Sequence, residues 1–142
     1  MDFNQYLIRN QAATIAVRCG GDSMHDAGIS RDDLLIIDRS LTPKHRDIVM
    51  ADLGNEFTIK RLHRLDNGNV ELHSENSSQS YPNFSFSEGD TLAIVGVVTY
   101  VIKPRPLTHK PCTQISNSPL STSKPPVVAH QRPHNRNRCR LY

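Results

Sequence analysis

Ser23 and Lys60 are the residues whose types and surroundings point most directly to covalent chemistry. Ser23 follows Gly21 and Asp22 in a polar turn signal, and Lys60 lies in an apolar, strand-like run. A serine hydroxyl is almost unreactive at neutral pH until a base takes its proton, and a neutral lysine is one of the known bases. Burial in apolar surroundings would lower the pKa of such a lysine and keep it neutral. The pair therefore predicts a serine nucleophile with a lysine general base.

Both residues also have ordinary structural interpretations. Gly-Asp-Ser is the composition of many turns, because Gly tolerates positive φ and the Asp and Ser side chains bond to nearby backbone amides. A lysine in an alternating strand usually faces water. In such a strand, Thr58 and Leu62 would share the face of Lys60, while its immediate neighbours point the other way.

The elements that must position the pair are mostly strands. Short β-rich runs separated by turn signals predict a mainly β fold, a curled and partly barrel-like sheet. Gly54-Asn55 and Asp66-Asn67-Gly68-Asn69 are typical hairpin turns, and Gly96 is expected to bend the last strand. At the Gly-Asp-Ser turn, the backbone N–H groups of Asp22 and Ser23 would form an oxyanion hole. Strands are expected at 13–19, 33–38, 47–53, 56–65, 70–73 and 91–102, and helical turns at 3–9 and 24–30.

A series of motifs in a fixed order identifies a family. The motifs are GGDSMHDAGI (20–29), DLLIID (33–38), DIVMA (47–51), EFTIKRL (56–62), ENS (75–77) with YP (81–82), and IVGVV (94–98). Together they resemble the self-cleaving serine peptidase domain shared by LexA, phage repressors and UmuD. The resemblance runs from about Asp2 to Lys103, and residues 2–8 are more similar to UmuD than to a repressor.

The resemblance implies roles and partners. Ser23 would be the nucleophile and Lys60 the general base, without cofactor or metal. Members of this family form dimers, and their active site cuts an Ala-Gly or Cys-Gly bond in an N-terminal arm when a RecA filament is present. Shortened UmuD is a subunit of an error-prone DNA polymerase. A homodimer that binds a UmuC-like Y-family polymerase, with a RecA filament as a further partner, is therefore expected.

The N-terminal part departs from the family pattern. Only 22 residues precede Ser23, and a helix-turn-helix does not fit in that length. The chain is therefore interpreted as the processed, UmuD′-like form. Cys19-Gly20 resembles a cleavage bond, but it lies too near Ser23 along the backbone for self-attack. Cys19 is interpreted as a small strand residue at the edge of the site, Met24 as a core residue, and Asp22 and Asp26 as turn residues.

Three functional hypotheses remain open from the sequence. The first is a UmuD′-like accessory subunit of a translesion polymerase in SOS mutagenesis. The second is a serine endopeptidase that cuts UmuD-type or repressor chains in trans, which the presence of both Ser23 and Lys60 keeps open. The third is a remnant of a phage repressor's dimerisation domain.

Composition indicates one domain, 1–104, and a tail, 105–142. The domain holds 10 Lys and Arg against 14 Asp and Glu, a net charge of −4, so its surface gives no electrostatic case for binding phosphate. The polar first residues predict no signal peptide, and no run of 18 apolar residues occurs, so a membrane-anchored signal peptidase is not expected. The cysteines, Cys19, Cys112 and Cys139, lack metal-ligand spacing, and a reduced cytoplasmic compartment is expected.

The tail has a different composition from the domain. It carries 7 Lys and Arg and no acidic residue, for a net charge of +7, with many Pro, Ser and Asn residues. Such a stretch is expected to be disordered. Three interpretations compete: an extension from a shifted reading frame, a basic arm that binds DNA weakly or indirectly, and a Pro-rich peptide that docks on a partner.

The histidines do not predict a metal site. His25, His45, His63 and His73 are scattered along the sequence without ligand spacing, and they are interpreted as solvated surface residues. His109, His130 and His134 belong to the tail.

Overall fold

The computed structural model describes residues 1–105 and the backbone of residues 140–141. These residues form an antiparallel sheet with few helical turns. The helix α1 spans Phe3–Leu7 and is capped by the Asp2 side chain, and two short 3-10 turns span Gln11–Ala13 and His25–Ala27. The mainly β fold predicted from the sequence is therefore confirmed. The disorder predicted for 105–142 concerns residues that, apart from Arg105 and 140–141, lie outside the described residues.

The strands form a single open sheet in which β7 lies between β3 and β2. Their order in the sheet is β6-β5-β4-β3-β7-β2-β1-β8, and every pair is antiparallel. The bounds are β1 Thr14–Arg18, β2 Leu34–Asp38, β3 Ile48–Asp52, β4 Phe57–Arg64, β5 Val70–His73, β6 Phe84–Phe86, β7 Ala93–Ile102 and β8 Arg140–Leu141. All six expected strands are present within a residue or two. The strands β6 and β8 were not expected, because each is too short to show a period.

Both predicted hairpins are present. At the first, Leu53 donates its N–H to the Glu56 carbonyl (2.9 Å), with Gly54 at φ +95°. At the second, Leu65 donates to the Asn69 carbonyl (2.9 Å), with Gly68 at φ +85°. These conformations suit glycine, which has no Cβ to clash at positive φ. The hairpins set the register of β3 against β4 and of β4 against β5.

Gly96 permits a close approach between β7 and β2. A Cβ at this position would lie 2.7 Å from Cγ2 of Ile37 and 2.8 Å from the carbonyl oxygen of Asp38. The pairing of β7 shifts register on either side of Gly96, opposite Ile36/Ile37 of β2 and opposite Met50/Ala51 of β3. Extra residues in a strand increase its local bend and twist. The irregular section of this central strand therefore lies where the sequence predicted a bend.

The core consists of two apolar clusters. Strand β3 contributes Met50 to the first cluster and Val49 and Ala51 to the second, and alternation along a strand assigns these to opposite faces. The first cluster comprises Val17, Cys19, Met24, Ile29, Leu35, Ile37, Met50 and Ile59, and the second comprises Val49, Ala51, Leu62, Leu72 and Val97. The described part of the chain contains no helix of the length and apolar character that a membrane span requires.

Candidate active site

The serine loop, defined here as residues 19–28, leaves β1 and returns toward β2. Cys19 lies one residue beyond the end of β1 and exchanges two backbone hydrogen bonds with the start of β2, to the Asp33 carbonyl and from the Asp32 N–H, both 2.8 Å. Its thiol donates to the Gly21 carbonyl at 3.2 Å, and the residue is buried. Cys19 was predicted to be a small strand residue at the edge of the site; it lies just outside β1 and belongs to the first core cluster.

Ser23 lies in the middle of this loop with only 6% of its surface exposed. Its carbonyl accepts a hydrogen bond from the N–H of Glu75 (2.8 Å), and the carbonyl of Asp22 accepts one from the N–H of His25 (3.1 Å). Met24 is 2% exposed and belongs to the first core cluster, which confirms its predicted packing role. The loop is therefore held by two contacts: Met24 packs in the first core cluster, and Glu75 donates a hydrogen bond to Ser23.

Lys60 occupies the middle of β4 and is completely buried, with 0% of its surface exposed. It lies opposite Val49 in the register with β3. Its partners on the same face, Thr58 and Leu62, are 1% and 0% exposed, so the predicted alternation is correct and its face is not wet. The Lys60 amine lies 5.7 Å from the centre of the Tyr81 ring, within the range of a cation–π contact.

The connection between β5 and β6, residues 74–83, contacts both candidate residues and is called the bridging segment below. Glu75 donates to Ser23, and Tyr81 lies beside Lys60. The side-chain amide of Asn76 donates to the Asp22 carbonyl at 2.7 Å. The carbonyl of Glu75 accepts from the N–H of Asp26 at 2.9 Å. One segment thus borders the serine loop at one end and the buried lysine at the other.

Arg61 fastens the bridging segment to β4. Its Nε and Nη2 donate to the two carboxylate oxygens of Glu75 at 2.8 and 3.0 Å, a bidentate ion pair. The hydrogen bond with Arg61 lowers the pKa of Glu75, and the same bond raises the pKa of Arg61. In the sequence both residues stand only as parts of motifs, and their contact was not predicted. Arg61 lies in β4 and Glu75 follows β5, so the β4–β5 hairpin brings them together. No pattern in the neighbouring sequence indicates this contact.

Asp22 and Asp26 do more than form turns. Asp26 accepts a hydrogen bond from the Ser77 N–H at 2.6 Å, and this bond lowers the pKa of the Asp26 carboxyl. Asp22 accepts from the Arg31 N–H at 3.3 Å and lies 3.7 Å from the Arg31 guanidinium. Both carboxylates therefore tie the serine loop to neighbouring segments.

Three histidines that are scattered in the sequence lie together in the structure, with His45 exposed and His63 and His73 half-buried. The rings of His63 and His73 stack with centres 4.1 Å apart, and His45 meets His63 edge-on at 5.5 Å. Desolvation lowers the pKa of His63, and the nearby His73, His45 and Arg46 lower it further. Strands β4 and β5 bring His63 and His73 side by side, which the chain spacing does not indicate.

The histidine group does not form a ligand set. Within residues 1–105, no three His, Cys, Asp or Glu side chains are arranged so that they could hold a metal ion. His25 lies apart in the serine loop, with 60% of its side chain exposed. The histidines of the tail lie outside the described residues.

Comparisons with known proteins agree with this architecture. The family model described as Peptidase S24-like matches residues 1–99. The chain is 40% identical over 102 residues to the protein ImpA of Escherichia coli, covering 72% of this chain and 67% of ImpA. It is 45% identical over 62 residues to MucA of Escherichia coli, covering 44% of this chain and 42% of MucA. It is 38% identical over 100 residues to the LexA repressor of Bordetella parapertussis, covering 68% of this chain and 44% of that repressor. The chain therefore belongs to the Peptidase S24-like family of UmuD- and LexA-type proteins.

Proposed function

We propose that this protein acts in SOS mutagenesis as a UmuD′-like accessory subunit of an error-prone translesion DNA polymerase. The observation that carries the proposal is the 40% identity to ImpA, a UmuD-like protein, over 102 residues. In this role the sheet serves as a docking module, and the subunit acts as a homodimer bound to a UmuC-like Y-family polymerase. Chemistry at Ser23 is then unnecessary for polymerase binding.

Binding to the polymerase is the direct test. The full chain is co-expressed with a UmuC-like polymerase and isolated through a tag on the polymerase, beside Ser23→Ala as the matched variant. We expect both chains to be retained equally, because docking needs the folded surface and not the nucleophile. Failure to bind under conditions in which a known UmuD′ subunit is retained would contradict the accessory role.

The second candidate function is a serine endopeptidase that cuts UmuD- or repressor-type chains in trans. It is favoured by the complete burial of Lys60. Burial of an ionisable amine is unfavourable for the fold and disfavours its charged form, and strongly perturbed buried groups concentrate at functional sites. A lysine at this position is therefore better explained by chemistry than by stability.

The proposed reaction uses Ser23 and Lys60 first in acylation and then in deacylation. The Oγ of Ser23 bonds to the scissile carbonyl carbon while its proton passes to the neutral amine of Lys60. The carbon–nitrogen bond then breaks, and the Lys60 ammonium returns the proton to the leaving amine. In deacylation a water molecule bonds to the acyl carbon while its proton passes to the neutral Lys60 amine, the ester carbon–oxygen bond breaks, and the Lys60 ammonium returns the proton to the Oγ of Ser23. The N–H groups of Asp22 and Ser23 are the proposed donors to the oxyanion.

Cleavage in trans tests this second candidate. The chain is incubated with an uncut UmuD-type protein whose own serine has been replaced, and the fragments are followed as a function of pH without RecA. We expect the rate to rise with pH, because the base must be neutral. Ser23→Ala and Lys60→Ala should each abolish the fragments, and persistent cutting in either variant would reject the dyad.

A further inference from the structure

The bridging segment grips the serine loop at consecutive points. Glu75 donates its N–H to the Ser23 carbonyl (2.8 Å) and accepts at its own carbonyl from the Asp26 N–H (2.9 Å). Ser77 donates its N–H to the Asp26 carboxylate (2.6 Å). The first two bonds involve the main chain of Glu75, so a movement of this residue is passed to the backbone at Ser23 and Asp26.

The side chain of Glu75 is bound to β4 through Arg61. Its carboxylate accepts two hydrogen bonds from the Arg61 guanidinium (2.8 and 3.0 Å). The Nη1 atom of Arg61 donates a third hydrogen bond, to the Arg46 carbonyl at 2.8 Å. Arg61 follows Lys60 directly in β4. A bidentate pair of this kind fixes orientation as well as distance, because two parallel hydrogen bonds constrain both planar groups.

We propose that Arg61 and Glu75 act as positioning residues for the Ser23–Lys60 pair, a function that rests on the proposed peptidase site. Their ion pair joins β4, the strand of the general base, to the bridging segment, which is in turn hydrogen-bonded to the serine loop. Neither residue touches the reacting atoms. A displacement of about 1 Å between catalytic groups can lower a rate about 100-fold.

The exposure of the pair argues that its main effect is on geometry. The side chains of Arg61 and Glu75 are 24% and 33% exposed. Ion pairs with this much access to solvent typically contribute about 1 kcal/mol or less to stability. Loss of the pair should therefore leave the fold largely intact while the serine loop shifts relative to β4.

The chain offers a matched control in Glu71. Its carboxylate lies 2.6 Å from the Nε2 atom of His73, with 29% and 31% of the two side chains exposed. This pair resembles that of Arg61 and Glu75 in exposure, but the Glu71 carboxylate bonds to His73 and Ser85, away from the serine loop. Glu71→Gln therefore removes a similar charge from the same sheet without touching the bridging segment.

The test compares the full chain with Glu75→Gln, Arg61→Gln, Arg61→Lys, the double Arg61→Gln/Glu75→Gln variant and Glu71→Gln. Two rates are measured well below each thermal midpoint: labelling of Ser23 by an organofluorophosphonate, and cleavage in trans of a serine-inactivated UmuD-type protein. The labelling rate reports on the nucleophile without polypeptide binding, and the cleavage assay separates kcat from KM.

We expect Glu75→Gln to lower the labelling rate and kcat by about 10- to 100-fold with KM unchanged. Arg61→Gln should do the same, and the double variant should be no slower than either single variant, since the pair acts as a unit. Arg61→Lys keeps the positive charge but cannot form the bidentate pair, so its labelling rate and kcat should lie between those of the unchanged chain and Arg61→Gln. The labelling rate and kcat of Glu71→Gln should stay within about twofold of those of the unchanged chain, because Glu71 is not part of the Arg61–Glu75 pair.

Labelling of Glu75→Gln at the unchanged rate, or an equal loss in Glu71→Gln, would overturn the positioning role alone. If the unchanged chain is not labelled, or if labelling survives Ser23→Ala, the peptidase site itself is rejected and the positioning role fails with it. If Glu75→Gln does not fold, Arg61→Lys decides, and a wild-type labelling rate in that variant would overturn the proposal.

Discussion

The side-chain amide of Asn76 donates a hydrogen bond to the main-chain carbonyl of Asp22, 2.7 Å away and 54 positions earlier in the chain. The Oδ1 atom of Asn76 meanwhile accepts from the N–H groups of Ser78 and Gln79. Asn76→Asp keeps this acceptor but replaces the donor by an oxygen that faces another oxygen. We expect the free energy of unfolding to fall by about 1 kcal/mol, measured by urea denaturation.

The matched substitution for that prediction is Asn67→Asp. The Oδ1 atom of Asn67 accepts a hydrogen bond from the Asn69 N–H at 2.9 Å in the hairpin turn. An aspartate can keep that bond, so stability should change little. An equal loss in the two variants would show that the Asn76 amide contributes nothing specific to the serine loop.

Lys60→Met should stabilise the fold while removing the proposed base. The methionine has a similar length and no amine to bury, so we expect the free energy of unfolding to rise by about 1–3 kcal/mol. Lys44→Met, at an exposed position, should change it by less than about 0.5 kcal/mol. Thermal and urea unfolding measure both. A less stable Lys60→Met variant would show that the lysine serves the fold, against its proposed retention for chemistry.

Gly96→Ala should strain the junction between β7 and β2. The new Cβ would meet Ile37 and the Asp38 backbone at 2.7 and 2.8 Å, and the backbone atom cannot rotate away. We expect a loss of about 2–3 kcal/mol in unfolding free energy. Gly54→Ala meets nothing within 4 Å and has only its φ of +95° to overcome, so its cost should be about 1 kcal/mol. A larger loss for Gly54→Ala in urea denaturation would contradict the close approach at Gly96.

Acidification should weaken the fold through His63. Its pKa in the fold lies below the ordinary value of 6.5, chiefly because of desolvation and then because of His73 and His45. As the pH falls through 6.5, the unfolded chain therefore takes up a proton before the fold does, and stability is lost. His63→Phe keeps a ring beside His73 and should reduce the drop in thermal midpoint between about pH 7 and pH 5.

The control for this pH dependence is His25→Gln. His25 lies apart from the other histidines and is 60% exposed. Its replacement should leave the slope of thermal midpoint against pH unchanged. If the slope of His63→Phe also equals that of the unchanged chain, the histidine group does not contribute to the acid sensitivity.

Much of the sheet was predictable because its signals are local. A short apolar run marks β2, a run rich in Val and Ile marks β7, and Gly54 and Gly68 mark the two hairpins, where glycine allows positive φ. The strand β6 escaped prediction because Phe84–Phe86 is too short to show alternation. In the structure it pairs with the edge of β5.

The candidate site was predictable in its residue types but not in its supports. The motif around Ser23 and the alternation around Lys60 are both visible in the chain, and the structure buries both residues. The link between Arg61 and Glu75 and the stack of His63 on His73 were invisible, since side chains meet across strands only once register is set. The mutual placement of the two proposed catalytic groups remains a prediction that the labelling experiment can test.

The amino-acid sequence by itself determined the β-rich fold, the hairpins, the family and the two candidate residues, because these depend on periodicity, turn chemistry and short motifs. Only the tertiary structure decided that residues 74–83 border both the serine loop and Lys60, and that Arg61 holds this segment to β4. The physical reason is that contacts between distant segments depend on sheet order and register. Sheet order and register depend on the packing of the whole core, and no single stretch of the sequence determines them.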